Sequence, residues 1–218
     1  MAAASDPHAD QPVLTAGPPL ERAAGAIVLV HGRGGTAEDI LSLYALLDVP
    51  NVAAVAPQAA GSTWYPYSFL SPLAQNQPYL DSALRRLETL VADLESRGIA
   101  AERIALLGFS QGACLTCEFV ARHARRYAAV MGLSGGLIGP PGTPRDYAGS
   151  LDGTSVFLGC SDPDPHIPFE RVRETEAVFT RMGARVETRR YAGMPHSINQ
   201  DEMDACRALL RDSFPRDV

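Results

Sequence analysis

The 218-residue sequence predicts an α/β fold: one domain with a mostly parallel sheet and helices on both faces. Three observations carry this. Short strand-like runs recur along the chain. Amphipathic segments of helical period alternate with them. Internal repeats and dividing linkers are absent, and the length is that of one domain.

The first run, 26–30, reads Ala-Ile-Val-Leu-Val and is a buried strand. Helical spacing follows over 36–47, with Thr36 as its cap. Residues 52–56 form a second strand, stopped by Pro57. Prolines and aromatics fill 57–78, a long loop of the kind that usually serves function. Leu80, Leu84, Leu87, Val91 and Leu94 place an apolar stripe on a helix over 79–97, closed by Gly98. The alternation then repeats: strand 103–108, helix 111–122, strand 128–133, strand 155–160, helix 169–182, strand 185–191 and helix 199–214. Residues 1–22 carry an Ala-rich start followed by Asp6, Pro7, Asp10 and Pro12. They read as a flexible tail with room for one edge strand, leaving 23–218 as the domain.

Composition narrows the function. The net charge is −6, and the densest basic cluster (Arg122, Arg125, Arg126) ends a helix, where cations complement the dipole. That argues against a nucleic-acid partner. No apolar run reaches the length of a membrane span. Cys114 and Cys117 form a C-x-x-C, but it lies inside an apolar helix and no second pair follows. With Cys160 and Cys206 they read as buried reduced thiols rather than metal ligands. The N-terminus lacks the pattern of an export signal, so a cytoplasmic location is expected. Neither G-x-G-x-x-G nor G-x-x-x-x-G-K-[ST] occurs, and no cofactor is expected. The sequence leaves monomer and homodimer both open.

Chemistry concentrates at Gly108-Phe109-Ser110-Gln111-Gly112, a G-x-S-x-G with a strand running in and a helix running out. A turn this sharp lifts the Ser110 hydroxyl above the sheet and needs small flanking residues. A serine needs a base to become a nucleophile. Of the five histidines, His8 and His31 precede the serine, and His123 ends its helix pointing away. His196 follows the last strand, at the sheet edge where parallel strands deliver the serine, and is the expected base. An acid should follow the preceding strand, and Cys160-Ser161-Asp162-Pro163-Asp164-Pro165 offers both Asp162 and Asp164. The expected oxyanion donors are the Gln111 amide and, from the Gly-rich loop after the first strand, the Arg33 amide.

Together these residues resemble the phospholipase/carboxylesterase (acyl-protein thioesterase-like) family of α/β-hydrolases, over about 26–214. The resemblance implies the α/β-hydrolase fold and a Ser-His-Asp triad acting through an acyl-enzyme. Asp164-Pro165-His166-Ile167-Pro168 matches the family's acid loop, which favours Asp164 over Asp162. Pro195 stands before His196 where the family commonly has glycine. Trp64 and Tyr65 fall in the loop that covers the acyl pocket in the family, and are expected to contact substrate. The expected activity is a serine carboxylesterase taking small to medium acyl esters. A thioesterase or lysophospholipase would use the same triad, and a catalytically silent binding protein would use none.

Overall fold

The computed structural model describes residues 6–215. Seven strands form one sheet: β1 (Val13–Ala16), β2 (Gly25–Val30), β3 (Val52–Pro57), β4 (Ile104–Phe109), β5 (Ala129–Leu133), β6 (Ser155–Asp162) and β7 (Arg185–Ala192). Their order is β1-β3-β2-β4-β5-β6-β7. Only β1 runs antiparallel to its neighbour; the others are parallel. The loops leaving the C-terminal ends of β2 to β7 therefore emerge at one edge. Among the described residues no helix is long and apolar enough to cross a membrane.

Alternation along each strand divides the core in two. Ala26, Val28 and Val30 of β2 face the larger layer, with Leu106 of β4 and Val130 of β5. Over them pack α3 (Tyr79–Ser96), α4 (Gln111–Arg122) and α5 (Phe169–Arg181). Ile27 and Leu29 face the other layer, closed by α1 (Ala37–Leu41), α2 (Tyr44–Leu47) and α6 (Gln200–Ser213). The central strands β2 to β5 are buried on both faces, which is why they read as unbroken apolar runs. Edge strand β7 instead alternates in exposure and carries arginines.

Two local expectations are corrected. The helix foreseen over 36–47 is two short helices. Thr36 caps the first through a reciprocal box with Asp39, but the Ser42 hydroxyl donates to the Asp39 carbonyl. That side-chain bond competes with the helical ladder at the break. The second correction concerns the segment read as a flexible tail. Residues 1–5 lie outside the described residues, but from Asp6 the chain is seated. The Asp6 carboxylate accepts from Ser82 and Arg85, and β1 pairs with β3. His8 is fully buried: its amide donates to Ser82 Oγ, Nδ1 accepts from the Ala60 amide at 3.0 Å, and Nε2 donates to the Trp64 carbonyl at 2.9 Å.

That histidine gives a prediction. Burial holds the His8 imidazole below its ordinary value, so protonation opposes folding. The stability it supplies is full above about pH 6.5 and is lost as the pH falls through its folded value. His8→Ala should cost about 2 kcal/mol in urea unfolding at pH 7. The cost should shrink at pH 5. An unchanged midpoint at pH 7 would show that the segment contributes nothing.

Candidate active site

The site begins where β4 becomes α4 with no residue to spare. Ser110 sits between them at φ 55°, ψ −119°, a strained backbone for a residue with a side chain. Two glycines make the turn possible. A Cβ on Gly108 would lie 2.3 Å from the Gly112 carbonyl oxygen, and one on Gly112 would lie 2.1 Å from that of Val30. The Ser110 amide donates to the Leu133 carbonyl at 2.9 Å, fixing the turn to β5. The hydroxyl is left pointing out of the sheet edge.

His196 lies on the loop between β7 and α6. Its Nε2 is 2.8 Å from Ser110 Oγ and its Nδ1 is 2.7 Å from Asp164 Oδ2. An ionised carboxylate only accepts, so Nδ1 carries the proton and Nε2 presents a lone pair to the hydroxyl. Phe109 packs on the imidazole at 5.2 Å between ring centroids. Pro195 does not keep the ring from this position.

The Asp164 side chain is fully buried. Its Oδ1 accepts from the His166 and Ile167 amides at 2.8 and 2.9 Å, and Oδ2 also accepts from Ser161 Oγ at 3.0 Å. Burial pushes this carboxyl up. The bond from His196 and those two amides outweigh burial and hold it below the ordinary carboxylate value. Asp162, which spacing left equally open, turns outward to Arg190 at 3.3 Å. His123 stacks on Phe119, and buried His31 accepts from the Ala59 amide, so neither joins the cluster.

Arg33 and Gln111 flank the serine from the β2 loop and the start of α4. Among the described residues neither amide is spent on an internal acceptor. Their side chains share a task the sequence did not disclose, since both hold the segment 64–67. The Arg33 guanidinium donates to the carbonyls of Tyr65, Pro66 and Tyr67 at 2.7–2.9 Å. The Gln111 amide group accepts from Trp64 N and donates to the Tyr65 carbonyl.

Trp64 itself requires a correction. It was expected to contact substrate, but it is fully buried beneath its loop, with the indole N–H on the His31 carbonyl at 2.8 Å. Its ring lies against His8 and His31. The apolar body and single donor of an indole are both satisfied there. Tyr65 does line the pocket, as do Tyr67 and Phe69.

The pocket has a volume of about 430 Å³ and reaches from Ser110 and His196 to Cys114, one helical turn further along α4. Burial pushes the Cys114 thiol up to about 12, so it serves as a wall rather than a nucleophile. Pocket residue Phe69 is joined to a second loop: the Gly139 amide donates to the Phe69 carbonyl, and buried Arg171 donates to the carbonyls of Leu137 and Gly139. Arg171 was not foreseen, because an arginine in an amphipathic helix gives no signal that it will be buried. His166, edge-on to His196 at 4.9 Å, was also missed as a pocket residue.

The parallel sheet with its antiparallel first strand, and a serine turn at its C-terminal edge, constitute an α/β-hydrolase fold. Within that class the chain belongs to the phospholipase/carboxylesterase family, whose model matches residues 15–213. A phospholipase/carboxylesterase from Dyadobacter fermentans is similar throughout: TM-score 0.89, 44% identity, 96% of this chain and 98% of that one. Acyl-protein thioesterase 1 of Gibberella zeae is 31% identical over 54% of this chain and 51% of its own length. Acyl-protein thioesterase 1 of Debaryomyces hansenii is 26% identical over 67% and 64%. The matched region thus spans about half to two thirds of those two thioesterases.

One further buried acid supports the histidine loop. Glu202 caps α6 with Asn199, accepting from the Asn199 amide at 3.0 Å. Its Oε1 has no hydrogen-bond partner and packs on Gly159 of β6. Burial pushes this carboxyl up to about 7. An acid raised on folding is stabilising to protonate, so its penalty grows as pH rises from about 4.5 to 7 and is complete above. Glu202→Gln, which mimics the neutral form, should gain stability over wild type by on the order of 2–3 kcal/mol at pH 8 and little at pH 5. Equal pH dependence of the two melting temperatures would contradict this.

Proposed function

We propose that the chain is a serine carboxylesterase for small to medium acyl esters, working through an acyl-enzyme. The observation that carries the reading is the unbroken line of hydrogen bonds from Asp164 through His196 to Ser110. His196 takes the hydroxyl proton as Ser110 Oγ attacks the ester carbonyl carbon. Negative charge collects on the carbonyl oxygen, where the amides of Arg33 and Gln111 receive it. Each such donor is worth about 3 kcal/mol in the transition state. The tetrahedral intermediate collapses, and His196 gives its proton to the departing alcohol. Water then attacks the acyl-enzyme by the same route and frees the acid and the serine. Buried Asp164 keeps the imidazole in the tautomer that accepts from serine and stabilises the imidazolium between the two transfers.

The bounded pocket favours shorter acyl groups. Buried Tyr65, Phe69, Cys114 and Ile167 wall its interior. Thioester hydrolysis is the second reading, supported by the two relatives named as acyl-protein thioesterases. The same residues would perform it, since only the leaving group differs.

Ser110→Ala should abolish turnover of a p-nitrophenyl ester, measured as nitrophenolate release. Asp164→Asn should lower kcat by about a thousandfold or more, because the amide favours the wrong tautomer. Wild-type turnover by the serine variant would end the proposal by placing the nucleophile elsewhere, whereas a wild-type protein that neither turns over ester nor takes a fluorophosphonate label would leave the silent scaffold as the better description. A panel graded by acyl length against matched thioesters separates the two enzymatic readings. A rate that climbs beyond eight carbons on thioesters alone would favour the second.

A further inference from the structure

The charge around this pocket is one-sided. Its lining contains the cation Arg33 and neither aspartate nor glutamate. Asp164 is behind His196, with both oxygens occupied by hydrogen bonds. Arg33 has no carboxylate partner among the described residues; its guanidinium meets only the carbonyls of 65–67. Those carbonyls orient the group without cancelling its charge. Three of its five N–H donors are used there, which leaves two for a ligand. This cation at the rim belongs to a chain of net charge −6.

The pocket also has a direction. Tyr65, Phe69, Cys114 and Ile167 are buried, whereas Arg33, Tyr67 and His166 are exposed. An apolar acyl group is accommodated inside, and the alcohol portion meets the charged rim. We infer that the natural substrate is an ester whose alcohol portion bears an anionic group, a carboxylate or a phosphate, which Arg33 holds at the mouth. This deepens the esterase reading and rests on it. Arg33 would then serve twice, its amide toward the oxyanion and its guanidinium toward the leaving group.

The test compares 4-acetoxybenzoate with its uncharged methyl ester, and adds 4-acetoxyphenyl phosphate as the phosphate counterpart. The methyl ester has the more electron-poor phenol and is chemically more reactive, so a preference for the anion runs against intrinsic reactivity. Wild type should favour at least one anion over the methyl ester by about tenfold in kcat/KM at low ionic strength, the scale of one charge-assisted contact. The preferred probe identifies which anion is read. That ratio should fall several-fold in 0.5 M salt. Arg33→Met should bring it to about one, whatever uniform loss it also suffers, and Arg33→Lys should keep most of it. The salt series on wild type stands even if the methionine variant fails to fold. A ratio at or below one for both anions, or one that neither salt nor Arg33→Met changes, would overturn the inference. Turnover of the methyl ester in that case would leave the esterase reading intact. Failure to hydrolyse any of the probes, with no fluorophosphonate label on Ser110, would overturn both.

Discussion

The close approach of α4 to the ends of β2 and β4 is the constraint on which the rest depends. It is possible because Gly108 and Gly112 have no side chain: any Cβ would overlap a backbone carbonyl. The contact forces Ser110 into positive φ and so aims its hydroxyl away from the sheet. It also puts the first amide of α4 beside the β2 loop. Strain at one residue, of about 1–3 kcal/mol, is held by two extensive apolar layers on either side. The geometry is thus supplied by the core, and the reactive groups need little adjustment of their own.

Around that turn the protein uses the same residues for more than one purpose. Arg33 and Gln111 line the pocket with Ser110, and each also gives a side chain to the segment 64–67. The covering loop is therefore tied to the β2 loop and to the first residue of α4. Trp64 anchors it from beneath, and His8 holds the Trp64 carbonyl from the N-terminal segment. A chain of hydrogen bonds runs from the first described residues to the pocket wall. Further along the same loop, the Phe69 ring lies under the guanidinium of Arg171, which is itself fixed by the carbonyls of Leu137 and Gly139.

Much of this was legible in the sequence, for identifiable reasons. Strands β2, β3, β4 and β5 are buried on both faces and could only be apolar. Ser110 and His196 were legible because turn chemistry and chain order constrain them strongly. Asp162 and Asp164 were inseparable by spacing, since both follow β6. The resemblance of 164–168 to the family's acid loop favoured Asp164, and the structure separates them by contacts that spacing does not record: His196, Ser161 and the amides of His166 and Ile167 bond Asp164 and not Asp162. Trp64 was misjudged because an aromatic in a loop reads the same whether it faces a ligand or plugs a core. His8 was invisible for a different reason: its three partners lie 52 to 74 residues away, and no local pattern records them.

The most direct measurement is a crystal structure of the protein after reaction with a fluorophosphonate. The phosphorus should be bonded to Ser110 Oγ, its oxygen should accept from the amides of Arg33 and Gln111, and the His196–Asp164 pair should be unmoved. Phosphorus on another residue, or an oxygen turned away from both amides, would contradict the idea that this turn builds a nucleophile and its oxyanion site together.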